Sequence, residues 1–144
     1  GFRYDSSYIK FSNHKLYSEL NMSTFERLNS ILLKSKNTDF FEFQIPTTKI
    51  YKFNIPISGG GYLRIIPFII FKYLYKLELK RRNEYMLFLH PFELYPGKFD
   101  LPIKPNLKDR LRYSYGRYSN LNKLSKLLEL AKKMNYNFVL MNPK

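Results

Sequence analysis

The chain has 144 residues, of which 44% are hydrophobic and 18% aromatic, and its formal net charge is +14. This length and apolar content suit one ordinary folded domain and exclude a disordered chain. Because the chain has no Cys, disulfides, thiolate metal sites and iron–sulfur clusters are excluded. With only two His, the chain offers few ligands for a zinc site built wholly within it.

The first part of the chain, residues 5–37, is polar and irregular, and its scattered apolar side chains allow only short helical turns. The chain begins with Gly1 rather than Met, so we expect either a processed protein or a piece of a longer one. The first thirty residues are polar and show no signal peptide. His14 lies in this segment and is interpreted as an ordinary surface residue.

Two extended segments follow. Residues 40–46 alternate aromatic and polar side chains and end at Pro46, which predicts a half-buried strand. A second extended stretch, residues 50–57, leads to three consecutive glycines at positions 59–61. We interpret the glycines as a tight turn from loop to helix rather than a phosphate cradle, because they match neither the P-loop nor the dinucleotide-binding pattern.

Residues 62–82 are predicted to form a helix, with Pro67 in its first turn and basic residues near its end. Three charged residues, Lys72, Lys76 and Glu78, interrupt its apolar side chains. The uncharged run is therefore too short for a membrane span, which needs about 18 apolar residues.

The remaining segments complete an alternating pattern. Residues 84–91 form a short apolar run that predicts a strand buried on both faces. After a Pro-rich loop, Ser119 is predicted to cap a helix, and residues 135–140 are predicted to form a last strand. The alternation predicts an α/β fold with mostly parallel strands and a single domain over residues 1–144.

His90 is the first candidate catalytic residue, because it ends the predicted buried strand of residues 84–91. In α/β folds, reacting groups gather at the carboxyl ends of strands. The alternative interpretation is a structural His that closes the strand and hydrogen-bonds its own backbone.

A basic segment, residues 104–133, carries nine Lys and Arg against two acidic residues. Interleaved cations and tyrosines of this kind can stack bases and neutralise phosphates; here they are Arg112, Tyr113, Tyr115, Arg117 and Tyr118. The alternative is a solvated helix face within a Lys-rich composition. We favour that alternative and expect no nucleic-acid partner, because charge is only part of that case.

Five short motifs occur in order along nearly the whole chain. They are residues 2–7 (FRYDSS), 42–46 (EFQIP), 59–64 (GGGYLR), 87–93 (LFLHPFE) and 115–117 (YGR). Together they resemble the C-terminal half of bacterial polysaccharide deacetylases of the NodB-homology type, which are similar to carbohydrate esterase family 4. The resemblance is closest to the subgroup with a C-terminal extension of unknown function, found with exopolysaccharide genes.

This resemblance implies the C-terminal half of a distorted (β/α) barrel, with residues 1–92 as the barrel portion and 93–144 as the extension. It implies a hydrolase that removes N-acetyl groups from a sugar polymer, using water activated by a divalent metal, usually zinc. His90 would protonate the departing amine, Asp5 would pair with His90, and Leu87 would line the pocket for the acetyl methyl group. A carboxylate beside an imidazole raises the imidazole pKa, as a general acid near neutral pH requires.

The family's metal-binding motifs, an Asp pair, a His-x-x-x-His and an Arg-x-Pro, have no counterpart in this chain. We therefore expect half of a site, in a fragment, a split enzyme or a decayed gene product. Alone, it is expected to bind no metal and to be inactive.

The expected partner is an acetylated polysaccharide. Another copy of the chain, or the missing amino-terminal half, would close the sheet edges that half a barrel leaves open. The alternative function is a non-catalytic basic module that binds an anionic polysaccharide or a nucleic acid. The sequence names neither the sugar, the metal nor the compartment.

Overall fold

The computed structural model describes residues 2–9, 20–97 and 106–141, without the side chains at positions 108, 109, 111 and 112. The strands are β1 (Tyr4–Asp5), β2 (Phe25–Arg27), β3 (Leu32–Ser35), β4 (Phe41–Phe43), β5 (Thr47–Ile50) and β6 (Phe53–Pro56). The helices are α1 (Gly60–Ile65), α2 (Phe68–Arg81), α3 (Pro91–Leu94), α4 (Leu107–Ser114) and α5 (Arg117–Lys133). A 3-10 helix at Met22–Thr24 lies between β1 and β2, and all the described strands precede the described α-helices along the chain.

Four strands form one sheet in the order β1-β4-β3-β2. β1 runs parallel to β4, whereas β3 pairs antiparallel with both β4 and β2. The parallel register places Asp5 opposite Glu42. The described pairings thus mix both directions, and the half-barrel with mostly parallel strands stays a prediction.

The strand predicted within residues 40–46 is present as β4, but it is shorter and more deeply buried than expected. Phe41 and Phe43 pack with Leu32 in a small core cluster. Side chains alternate between the faces of a strand, so Glu42 lies on the opposite face, where it is also buried. The expectation of a half-buried strand was therefore wrong about the polar position.

Residues 50–57, predicted as one extended stretch, belong to a hairpin in which β5 and β6 pair antiparallel. Its tip is at Tyr51, whose φ of 56° is left-handed. The base of the hairpin is fixed to α2, because Thr48 Oγ1 donates a hydrogen bond to Glu78 Oε1 at 2.9 Å.

Two predicted strands are not formed. Within residues 84–91 only Phe88 bridges to another segment, at Gly59, and residues 136–141 belong to no strand. Tyrosine hydroxyls hold these segments instead: Tyr85 donates to the Ile57 carbonyl at 2.9 Å, and Tyr136 donates to carbonyls at the end of α2. The prediction that residues 84–91 are buried on both faces was wrong, because each of them is half-buried or exposed. In the last segment, Phe138, Val139 and Leu140 are exposed as well.

The predicted helix over residues 62–82 is divided by Pro67. α1 ends at Ile65, Ile66 has an extended backbone, and α2 begins at Phe68. Proline disfavours the helical conformation of the preceding residue, which accounts for the break. Lys80 and Arg81 occupy the last turn of α2 as expected.

α5 begins earlier than predicted, at Arg117, after Gly116 with a φ of 72°. A Cβ atom at Gly116 would lie 2.8 Å from the Arg64 carbonyl oxygen, so a larger residue would strain this approach. Ser119 does not cap the helix; its hydroxyl donates to the Gly116 carbonyl at 3.2 Å.

The main core lies between the helices and the end of the hairpin. α5 packs against α1, α2 and α3. The buried core side chains are Ile57, Leu63, Phe71, Leu74, Tyr75, Leu79, Leu127 and Ala131. Each large apolar side chain of this kind contributes about 1.5–3 kcal/mol when buried. Leu63 of α1 and Leu127 of α5 share this core, and α5 also contacts α3, which directly follows His90.

Candidate functional site

His90 lies directly before α3, and its side chain is exposed. Its ring contacts Phe88 edge-on, with centroids 4.9 Å apart, and stacks on Phe92 at 5.6 Å. Phe92 contacts Tyr113 at 5.9 Å. We call these four rings the aromatic row; it places the His90 ring at the surface between two apolar neighbours.

Glu93 fixes the backbone at His90. This carboxyl group is only 4% exposed, and its Oε2 accepts a hydrogen bond from the His90 backbone N–H at 2.9 Å. The Glu93 N–H in turn donates to the His90 carbonyl at 2.9 Å. Glu93 Oε1 lies 3.5 Å from the guanidinium of Arg64, which is also buried. The first turn of α3 is therefore anchored to α1.

The glycine triplet makes room for this carboxylate. Gly59 is the N-cap of α1, and Gly60 and Gly61 form its first turn, which confirms the predicted turn from loop to helix. A Cβ atom at Gly60 would lie 2.1 Å from Glu93 Oε2, whereas one at Gly61 would lie 3.6 Å from Glu93 Oε1. Only Gly60 is therefore required by the close approach of Glu93.

Two polar side chains of α5 complete the arrangement. Asn120 is fully buried and donates from Nδ2 to the Glu93 carbonyl at 3.0 Å. Arg117 is also buried and donates to the Gly97 carbonyl at 3.0 Å. We call Arg64, Glu93, Arg117 and Asn120 the Glu93 cluster. It joins α1, α3 and α5 beside the His90 backbone.

Burial of Arg117 corrects one part of the sequence analysis. This residue was grouped with tyrosines as a surface that could bind nucleic acid, but its guanidinium is committed to the interior. Tyr113, Tyr115 and Tyr118 are exposed, as that grouping expected. The side chain of Arg112 lies outside those that the structure describes.

Asp5 is exposed on β1 and bonds to its own neighbours. Its Oδ1 accepts from the Ser6 N–H and its Oδ2 from the Ser7 hydroxyl, both at 2.7 Å. Across residues 2–9, 20–97 and 106–141, no hydrogen bond or ion pair joins Asp5 to His90. Their pairing is not formed in this structure, and their catalytic roles stay predictions.

Glu42 is a buried carboxyl group that was not predicted as a site residue. It is 2% exposed, and its Oε1 accepts from the Tyr8 N–H at 2.8 Å. Burial raises the pKa of Glu42, the Tyr8 amide opposes that rise, and the nearby Asp5 carboxylate adds to it. A carboxyl group with a perturbed pKa beside a second carboxylate is typical of acid–base sites. The sequence feature that could have indicated this buried carboxyl group is the position of Glu42 between Phe41 and Phe43.

Leu87 packs against the main core and lines an open cavity of about 510 Å³. The wall of this cavity also includes Tyr85, Met86 and residues 136–141. Among the described lining residues, neither Asp5 nor His90 occurs. The role of Leu87 in an acetyl pocket stays a prediction.

A catalytic zinc site needs three protein ligands and an open position. No three His, Asp or Glu side chains are grouped to hold a metal ion within the described part of the chain. His14 lies outside the described ranges, and the metal that the resemblance implies for the complete enzyme stays a prediction. In the same part of the chain, no helix combines the length and apolar character needed to cross a membrane.

A sequence family described as a domain of unknown function (DUF3473) matches residues 6–141. The chain belongs to this family. DUF3473 domains are associated with polysaccharide deacetylases and exopolysaccharide-associated proteins. The resemblance is therefore confirmed to the extent of this association. No match was found among curated proteins or among solved structures.

The DUF3473 match includes both the Glu93 cluster and the aromatic row. The two are in contact, because the Arg64 guanidinium lies 5.7 Å from the Phe92 ring centroid. The DUF3473 domain thus presents an exposed imidazole on a backbone that a buried ion pair holds. Such a group can exchange a proton with a bound molecule without a change in the backbone.

Proposed function

We propose that this DUF3473 domain is the carboxyl-terminal part of a polysaccharide deacetylase-like hydrolase, which removes N-acetyl groups from a sugar polymer. The family match over residues 6–141 carries the proposal. The order of the five motifs supports it. In this proposal, a metal held by another part of the enzyme supplies the attacking water.

His90 is proposed as the general acid. When the amide C–N bond breaks, the leaving nitrogen needs a proton, and an imidazole at the surface can deliver one. The exposed ring and the backbone held by Glu93 suit that task. Asp5 would assist by approaching His90 in the complete enzyme, and Leu87 would contact the acetyl methyl group.

The test is acetate release from an N-acetylglucosamine oligomer by the complete enzyme that contains this domain. We expect His90→Asn to lower kcat by about 100-fold or more, because general acid catalysis contributes about 10²–10⁴-fold. The matched control is His14→Asn, which changes the other histidine of the chain and should leave kcat unchanged.

Two results would overturn the proposal. One is wild-type activity in the His90→Asn enzyme. The other is efficient deacetylation by this domain alone with a bound metal, since the proposal places the metal ligands elsewhere.

A further inference from the structure

The helix α2 has apolar side chains both inside and outside. Its inner side packs in the main core, yet Ile69 is 83%, Ile70 50% and Tyr73 61% exposed. Ile65, at the end of α1, is also exposed. Contiguous exposed apolar groups mark interaction sites. This surface is therefore suited to contact another molecule.

Lysines accompany the exposed apolar side chains. Lys72, Lys76 and Lys80 are exposed and follow one another at four-residue spacing. Ile69 and Tyr73 have the same spacing, so an apolar stripe and a lysine row run side by side along the helix. We call these residues, with Ile70, the α2 outer face.

No negative charge balances these lysines within α2. The one acidic residue of the helix, Glu78, is buried and paired with Arg81 at 3.3 Å and Arg82 at 2.7 Å. On the neighbouring α5, Lys126 places its Nζ 6.0 Å from the Phe68 ring centroid, which adds a cation at the start of α2. The charge of the surface is thus positive along the length of α2.

We propose that the α2 outer face docks on an anionic lipid surface. Ile69, Ile70 and Tyr73 would enter the interface between headgroups and acyl chains, as the apolar side of an interfacial helix does. The lysines would lay their methylene stems along the lipid and place their ammonium groups at the phosphates. The net charge of +14 adds long-range attraction to such a surface.

The pairing of isoleucine with lysine favours lipid over nucleic acid. A nucleic-acid surface is recognised by cations and by aromatic side chains that stack on bases, and isoleucines offer neither. An anionic lipid surface would contact both the apolar side chains and the lysines of the α2 outer face. This inference is independent of the proposed chemistry, because none of its residues belongs to the Glu93 cluster or the aromatic row.

The test is co-sedimentation of the domain with vesicles of phosphatidylcholine and phosphatidylglycerol in equal parts, compared with vesicles of phosphatidylcholine alone. We expect binding to the anionic vesicles and at least about tenfold weaker binding to the neutral ones. A lysine near an anionic surface is worth about fivefold in affinity, so Lys72→Gln with Lys76→Gln should weaken binding by about 25-fold.

Matched variants distinguish binding through the α2 outer face from binding through the general positive charge of the domain. Lys132→Gln with Lys133→Gln removes the same charge from the end of α5, where both lysines are exposed, and should weaken binding much less. Ile69→Ser with Tyr73→Ser should weaken binding at least about tenfold. Tyr51→Ser with Phe53→Ser, at exposed positions of the hairpin, should not.

Equal losses from both lysine pairs, or full binding after Ile69 and Tyr73 are replaced, would show a diffuse polycation effect and overturn the proposal. Self-association through α2 without vesicle binding would also overturn it. If the serine variants unfold, hydrogen exchange on the wild-type domain replaces them. Vesicles should then slow exchange over residues 68–76, and unchanged exchange there would refute the docking.

Discussion

At the scale of single residues, Glu42 connects the amino-terminal segment to the sheet. It is buried, and it accepts the Tyr8 N–H across the short loop between β1 and Ile9. Its pKa is raised, chiefly by burial. A carboxyl group whose folded pKa lies above its unfolded value stabilises the fold below the unfolded pKa, and this contribution is lost as the pH rises through the folded pKa.

We expect Glu42→Gln to remove this pH dependence, because an amide stays neutral while its oxygen still accepts from the Tyr8 N–H. Urea unfolding from about pH 4 to about pH 8 should show wild-type stability falling relative to the Gln variant as the pH rises. Glu42→Ala should cost about 1–3 kcal/mol, since it leaves the partly buried Tyr8 amide without its acceptor. Parallel pH profiles for wild type and the Gln variant would contradict this account.

Burial of Glu42 could not have been predicted from its immediate neighbours. The alternation around Phe41 and Phe43 correctly indicates a strand with one apolar face. On the other face, the Glu42 carboxyl group accepts the Tyr8 N–H. The pairing of Tyr4–Asp5 with β4 and the bridge from Ile9 to Ile45 hold Tyr8 beside it. These contacts come from residues more than thirty positions away, and a local pattern contains no information about them.

At the scale of elements, the contact between α1 and α3 depends on the absence of a side chain at Gly60. A Cβ atom there would displace the Glu93 carboxylate, which Arg64 and the His90 N–H hold. Because breaking one side of a buried ion pair costs about 3–5 kcal/mol, this contact is the most sensitive in the candidate site.

We expect Gly60→Ala to destabilise the domain by about 2 kcal/mol or more, even after the gain of about 1 kcal/mol from higher helix propensity. Gly61→Ala is the matched control, because its Cβ would make only an ordinary contact. It should be neutral or stabilising by up to about 1 kcal/mol. Urea unfolding of both variants measures these changes in stability. Equal losses of stability in the two variants would exclude a steric clash with Glu93 as the cause.

The two long helices were predicted, although α3 and α4 were not. Pro67 marks the break between α1 and α2. The apolar runs at 84–91 and 135–140 predicted strands, but their residues are half-buried or exposed, and the Tyr85 and Tyr136 hydroxyls attach them to the core. Side-chain hydrogen bonds to distant carbonyls leave no periodic signal in a sequence.

At the scale of the whole molecule, three tyrosines connect the hairpin, α2 and the carboxyl-terminal segment. Burial raises the pKa of Tyr75 to about 12, that of Tyr85 well above its usual value, and that of Tyr136. The rings of Tyr75 and Tyr85 lie 5.0 Å apart. Because these folded pKa values exceed the unfolded value of 10.0, their stabilising contribution is lost as the pH rises above about 10.

We therefore expect alkaline unfolding above about pH 10, with phenolate absorbance rising together with the loss of helical circular dichroism. Tyr85→Phe should cost about 1–2 kcal/mol at neutral pH, because the Ile57 carbonyl loses its donor. Tyr118→Phe, at an exposed position, should change neither stability nor the alkaline transition. Phenolate formation that is complete before the circular dichroism changes would contradict this prediction.

The net charge of +14 was interpreted from sequence as background composition. The structure shows that part of it is organised, since the three lysines of the α2 outer face adjoin exposed isoleucines. Spacing alone did not reveal this, because α2 is apolar on its buried side as well. The packing of α1, α5 and the hairpin against α2 distinguishes the two sides.

The tip of the hairpin is a suitable labelling site for studies of this molecule in solution. The base of the hairpin is fixed by the bond from Thr48 to Glu78, while Lys52 at its tip is exposed. Since the chain contains no Cys, Lys52→Cys would create a unique thiol for a nitroxide or a fluorophore. A reporter attached at this exposed position would report the tumbling of the particle, and slower tumbling would reveal each larger complex that the domain enters.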